Sequence, residues 1–258
     1  MKKSILVLSA LTACATSAFA QAPAKSDWTI TGNAGLFSDY RFRGFTQTAY
    51  KPAFQGGFDV AHSSGFYVGN WNSNVEQALY RGASLEMDLY GGYKMSIGDI
   101  GLDFGGLYYY YPAKSNPLTA GVGKVDQAEL YVGASYSIFS AKFSYGLTNF
   151  FGLGDGTTTD TKGNYYLDLG AAYDLGAGWG VNGHYGYQKI ENGKAAAIAL
   201  KADNVSDYKV GVTKDLSGWI VGASVIGTSR KNLFTTGVGA PPEDGGKTSL
   251  VINLSKTF

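Results

Sequence analysis

The chain offers few residues for acid–base or nucleophilic chemistry. It has two histidines, His62 and His184, and one cysteine, Cys14. Neither histidine lies in an H-E-x-x-H or other clustered His/Cys pattern of a metal site. No G-x-S-x-G elbow presents a serine. The run GLGDGTTTD at 152–160 sets Asp155 and Asp160 among glycines and threonines. It lacks the spacing of an EF-hand loop and reads as a surface loop. Asn192-Gly193-Lys194 is turn chemistry rather than a phosphate cradle. No catalytic site, metal site or cofactor is expected, and the chain is not expected to be an enzyme. What remains is charge. In SDYRFRGFTQT, residues 38–48, Asp39, Arg41 and Arg43 alternate with Tyr40 and Phe42. Along a strand successive side chains point to opposite faces, so the charges would take one face and the aromatics the other.

The same alternation recurs along the chain. Twelve segments carry it, at about 28–42, 52–62, 65–74, 83–96, 99–111, 125–138, 141–150, 164–174, 178–188, 205–215, 218–228 and 248–258. Each is near the ~9–11 residues that cross a bilayer as a tilted strand. Connectors near Ser63-Ser64, Gly98, Phe139-Ser140, Gly176-Ala177 and Leu216-Ser217 are very short. Those at about 43–51, 75–82, 112–124, 151–163, 189–204 and 229–247 are longer, and the two kinds alternate strictly. Short turns at one end and long loops at the other is the pattern of an outer-membrane barrel with periplasmic turns and extracellular loops. Pro23 lies in the N-terminal tail, Pro52 opens a strand, and Pro112, Pro117, Pro241 and Pro242 fall in or beside loops. These are places where a missing N–H costs least.

The faces agree with this architecture. Leu85, Met87, Leu89, Tyr93 and Met95 oppose Glu86, Asp88 and Lys94. Trp179, Val181, Tyr185 and Tyr187 oppose Asn182, His184 and Gln188. Tyr93, Tyr136, Tyr173, Trp179, Trp219 and Phe258 stand beside the short turns. Tyr40, Trp71, Tyr108, Tyr110, Tyr165, Tyr187 and Tyr208 stand toward the long loops. Two such girdles mark two membrane interfaces. An open sheet edge cannot sit in hydrocarbon, so the sheet must close. The expected fold is all-β: a closed antiparallel transmembrane β-barrel of about twelve strands, located in the cell outer membrane.

The ends of the chain fit that location. MKKSILVLSALTACATSAFA carries Lys2 and Lys3, an apolar stretch and the A-x-A site Ala18-Phe19-Ala20. Residues 1–20 are expected to be a secretory signal peptide and 21–258 the barrel domain. A lipobox over Leu11–Cys14 is the rival reading, with very short regions before Cys14. Cleavage after Ala20 removes Cys14, and with it any disulfide or thiol nucleophile. The formal net charge is +1, which gives no sign of nucleic acid. The C-terminal SLVINLSKTF places Leu250, Ile252, Leu254 and Phe258 on one face. It resembles the terminal-strand signal by which outer-membrane proteins are recognised for assembly, with Phe258 as its end. Lys256 departs from that signal and would snorkel to the headgroups. Expected partners are outer-membrane lipid, small hydrophilic solutes and, during biogenesis, periplasmic chaperones and the barrel-assembly machinery.

SDYRFRGFTQT, followed by PAFQGGFDVAHSSGFYVGNW, resembles the TorF-type porin family of Gram-negative bacteria, also catalogued as a conserved Gly/Trp-rich family of unknown function. The resemblance is specific over Ser38–Trp71 and architectural elsewhere. It implies an outer-membrane barrel of porin type and assigns no substrate or functional residue.

In such a barrel Tyr40 and Phe42 would face lipid, and Asp39, Arg41 and Arg43 the lumen near its mouth. An arginine turned into lipid at mid-depth would cost about 2–4 kcal/mol, a cost absent in a wet lumen. By parity the lumen also holds Asp59, Glu86, Asp88, Asp103, Glu129, Asp168, Asp174 and Asp215, against Lys94, Lys142 and Lys209. Asp39, Arg41, Arg43, Glu86, Asp88, Glu129 and Asp168 are the candidate constriction residues. They either screen solutes or pair across strands and stiffen the wall. His184 is expected in the lumen and His62 outside, beside a periplasmic turn. The expected function is passive diffusion of small hydrophilic solutes. The alternative is a plugged, non-channel barrel serving adhesion or envelope structure, with loops 151–163 and 229–247 long enough to fold inward.

Overall fold

A strand with one apolar and one polar face can bury the first in lipid and the second in a lumen only if the sheet closes on itself. The computed structural model describes residues 26–112, 125–156, 158–196, 200 and 202–258. The expected signal peptide, Cys14, Pro23 and Pro117 lie outside the described residues. The strands are β1 (Trp28–Phe37), β2 (Arg41–Phe42), β3 (Phe45–Thr46), β4 (Ala53–His62), β5 (Phe66–Asn74), β6 (Leu85–Ile97), β7 (Ile100–Tyr110) and β8 (Gln127–Tyr136). They continue as β9 (Phe139–Gly146), β10 (Tyr165–Gly176), β11 (Trp179–Lys189), β12 (Asn204–Leu216), β13 (Trp219–Thr228), β14 (Thr235–Gly239), β15 (Pro242–Asp244) and β16 (Ser249–Thr257). Twelve of them form one closed antiparallel barrel in the order β1-β16-β13-β12-β11-β10-β9-β8-β7-β6-β5-β4. The pairs β2-β3 and β14-β15 are small hairpins in the loops.

The outer wall is apolar. Ile30, Phe58, Val68, Leu130, Val210 and Leu250 are all more than half exposed, which in water would be untenable and in lipid is the expected state. At its periplasmic rim Lys214 lies 4.9 Å over the Trp179 ring and Lys256 5.0 Å over Trp219. Both lysines therefore snorkel along indole faces. His62 is outside at the same rim, 4.5 Å from the ring of Trp28. Val210, at the middle of β12, is 68% exposed. Val210→Arg is expected to destabilise the barrel by about 2–4 kcal/mol. Equilibrium unfolding in bilayers checks this. A cost near zero would remove Val210 from the hydrocarbon.

The lumen face explains much of the glycine and tyrosine. Gly69, Gly92, Gly105 and Gly186 lack the Cβ that would strike a tyrosine folded over them from the adjacent strand: Tyr90, Tyr67, Tyr131 and Tyr166 respectively. Covering a strand glycine with an aromatic ring pins the register of the two strands. The hydroxyls then find carboxylates. Tyr90 donates to Asp59 and Tyr67 to Asp103, each at 2.6 Å.

The first strand departs from the sequence expectation. It ends at Phe37 rather than Phe42. Ser38 still bonds Ile252 on the adjacent β16: its N–H donates to the Ile252 carbonyl, and its Oγ accepts from the Ile252 N–H. The chain then turns into the barrel. Tyr40 and Phe42 face the lumen and not lipid, and Trp71 likewise points inward, packed on Tyr40.

Candidate functional site: an inserted hairpin in the lumen

Residues 38–52 leave the wall after β1 and rejoin it at β4. Between them β2 and β3 pair as a hairpin with Phe42 opposite Phe45. Its tip is Arg43-Gly44, with φ of 47° and 83°. Two consecutive residues in the left-handed region are what a tight hairpin turn demands, and Gly44 meets the demand without strain. Gly44 also lies so close to Asp207 on β12 and Thr228 on β13 that a Cβ there would collide with both.

A knot at Asp39 holds the base of the hairpin. Its carboxylate accepts from the Thr46 hydroxyl at 2.5 Å and the Thr48 hydroxyl at 3.0 Å, and from the Arg41 guanidinium. Arg41 also donates to the Gly44 and Lys247 carbonyls at 2.9 and 3.0 Å. Arg41 therefore braces the hairpin against the last long loop and does not reach a wall carboxylate. The Tyr40 hydroxyl donates to Glu86 on β6 at 2.6 Å. Burial, and next the charge of Glu86, push the Tyr40 phenol up, so it remains a donor.

The tip is anchored by Arg43. Its Nη2 donates to both Glu129 oxygens on β8, at 2.7 and 2.8 Å, and its Nη1 to Gln188 on β11. The guanidinium lies 4.4 Å over the ring of Tyr166 on β10. Burial acts to lower the Arg43 pKa, and the adjacent Glu129 outweighs it, so the net shift is upward. The hairpin thus touches β6, β8, β10, β11, β12 and β13, and occupies the extracellular part of the lumen from wall to wall.

All seven candidate residues are inside the barrel, in four groups. Asp39 and Arg41 pair with each other, and Arg43 pairs with Glu129. Glu86 and Asp88 are both buried on β6, Glu86 accepting from Tyr40 and from Tyr111 at 2.6 Å. Asp168 joins neither arginine. It lies 3.1 Å from His184 Nδ1, while His184 Nε2 is 2.6 Å from Asp207. Asp207 also accepts from Tyr166. Asp207 was missing from the sequence-based lumen set, although it shares the parity of Lys209 and Asp215. His184 is bracketed by Asp168 and Asp207, with the Tyr166 hydroxyl 3.4 Å from its Nε2, and among the described residues no serine bonds it. Among the described residues no group of three or more His, Cys, Asp or Glu is placed to hold a metal.

Other loops close over the hairpin. Phe42 packs edge-on against Tyr109 and Phe151, and Phe45 against Phe234. The two loops expected to fold inward, 151–163 and 229–247, therefore contribute to the cap, but the segment that fills the lumen is the first loop. Below the cap the lumen is polar: Asn33, Asp59, Lys94, Asp103, Asn182 and Asn253 face it from six strands.

The family described as bacterial protein of unknown function (Gcw_chp) matches residues 21–258. The chain belongs to it. The Gcw_chp barrel resembles two solved porins. The NanC porin gives a TM-score of 0.54 at 9% identity, with 88% of this chain and 99% of that chain covered. The KdgM porin, solved with disordered oligogalacturonate, gives 0.51 at 9% identity, with 89% and 98% covered. At that identity the likeness is one of fold: a closed outer-membrane β-barrel. No curated protein sequence matches. The Gcw_chp barrel is an outer-membrane protein, with an apolar exterior and a polar, partly filled interior.

Proposed function

We propose that this barrel is a channel for passive diffusion of small hydrophilic solutes, and that the hairpin of residues 38–52 closes or narrows its mouth in the conformation described here. One observation carries the proposal. At Tyr40 and at its Arg43 tip the hairpin is fastened to the wall by hydrogen bonds and one ion pair, contacts that water can replace, beside aromatic packing of Tyr40, Phe42 and Phe45, above a lumen lined with polar side chains. A permanent plug has less need of this. The resemblance of SDYRFRGFTQT to the TorF-type porin family supports the channel reading, and that stretch forms the hairpin itself. In this proposal Asp39, Arg41, Arg43, Glu86, Asp88, Glu129 and Asp168 form the constriction. Residues 1–20 direct export. Phe258, 69% exposed on the outer wall, is the assembly signal read by the barrel-assembly machinery after delivery by chaperones.

A second reading rests on the aromatic contacts of Tyr40 and Phe42. If they hold the hairpin permanently, the barrel is a plugged scaffold that presents its loops for adhesion or envelope structure. Planar-bilayer recording of refolded protein, shown to be folded by heat-modifiable gel mobility, separates the two. The channel proposal expects discrete current steps with brief or rare openings. Sustained silence from folded barrels across applied voltages favours the plugged scaffold.

A further inference from the structure

Asp88 is 0% exposed, and neither of its carboxylate oxygens has a hydrogen-bond partner. Its direct neighbours across the sheet, on the same inner face, are Trp71 on β5 and Tyr109 on β7. The hairpin segment covers both. Tyr40 meets Trp71 with ring centroids 5.4 Å apart, and Phe42 meets Tyr109 at 5.6 Å. The nearby carboxylates are already engaged. Each Glu86 oxygen accepts one phenol, from Tyr40 and Tyr111. Glu129 accepts from Arg43 and from Gln127. This buried layer sets Glu86, Asp88 and Glu129 against Arg43, with Lys142 acting on Glu129, and Asp88 is the carboxylate without a partner.

A buried carboxylate is ordinarily paired or bound to a metal, because leaving it bare is costly. We propose that Asp88 is a ligand of a small hard cation, alkali or alkaline-earth, held behind the hairpin. Two oxygens of Asp88 are free to coordinate, and Glu86 keeps unused lone pairs after accepting two phenols. An all-oxygen donor set suits such ions. Trp71 and Tyr109, its register neighbours, are aromatic rings of a kind that complements positive charge. The site stands whether or not the barrel conducts.

The test uses refolded full-length protein in detergent, in N-methylglucamine buffer free of inorganic cations, with Tb³⁺ as the probe. Excitation through tryptophan is expected to give saturable Tb³⁺ emission, because Trp71 borders the site. Competition with Ca²⁺ and with Na⁺ identifies which ion the site prefers. Asp88→Asn should abolish the emission, and the exposed-site control Asp160→Asn should retain it. If Asp88→Asn does not refold, Trp71→Phe decides: it should weaken tryptophan-excited emission while thermal stabilisation by the competing ion persists. Emission that survives in refolded Asp88→Asn overturns the site, as does undiminished emission from Trp71→Phe where Asp88→Asn does not refold. So does absence of emission together with an unfolding temperature indifferent to Ca²⁺ and Na⁺, in which case a proton occupies Asp88.

Discussion

Replacement of residues 38–52 by a short Gly-Ser-Gly turn is expected to raise single-channel conductance several-fold and to leave the barrel folded. The reason lies in where the segment sits. Phe37 on β1 and Ala53 on β4 are direct register partners, so the wall on either side already forms a hairpin. Connections of about 2–5 residues suffice to join such strands. Apart from the two bonds between Ser38 and Ile252 on β16, the removed residues contribute no rung to the twelve-strand wall. They do fill the mouth, with Arg43 bound to Glu129 on one side and Gly44 against Asp207 and Thr228 on another. A barrel of eight strands is just filled by its own side chains, and one of twelve has room beyond that. Conductance unchanged from the parent would mean that the constriction lies elsewhere.

Arg43→Ala should unseat the hairpin without altering its length. Removing one partner of a buried ion pair leaves the other charge uncompensated, at a cost of about 3–5 kcal/mol. Here Glu129 is 3% exposed and would retain Gln127 as its short-range donor. That cost falls on the closed conformation alone, because in an open mouth Glu129 meets water. At 1.4 kcal/mol per decade, the balance between closed and open shifts by roughly two to four decades. Open probability in bilayers measures the shift, with gel mobility unchanged. Adding Glu129→Gln removes the stranded charge and should return much of the closed population. If the single variant closes as the parent does, the pair is not what holds the hairpin.

The wall was legible in the sequence, because membrane strands have a local signature. Short turns, long loops and a period of two fix the position, face and depth of Leu89, Asp168 or Tyr173 with little help from distant residues. The hairpin was not legible for the same reason. Tyr40 and Phe42 continue the period of β1, so a reading by alternation runs straight through Ser38 into lipid. The turn gave no warning either, since Arg43-Gly44 is not one of the Asn-Gly or Asp-Gly pairs that announce a two-residue hairpin. What diverts the chain is a set of contacts between residues far apart in sequence: Tyr40 with Glu86, Arg43 with Glu129 and Gln188. Parity puts Glu86, Glu129 and Asp168 on the polar faces of their strands. It could not pair them, because partners in a lumen are chosen across the barrel and not along a strand.

The hairpin leaves and re-enters the wall at a single rung, Phe37 opposite Ala53. In the proposed channel it is a flap on one hinge. Swinging it outward lengthens no strand and shifts no register, so the surrounding bilayer feels neither a change in girth nor a change in thickness. The work of such a motion comes from the lumen alone, and lateral pressure or lipid length should leave it untouched. A barrel built this way can flicker on the fast timescale of loop motion while its wall stays as rigid as that of a molecule with no moving part.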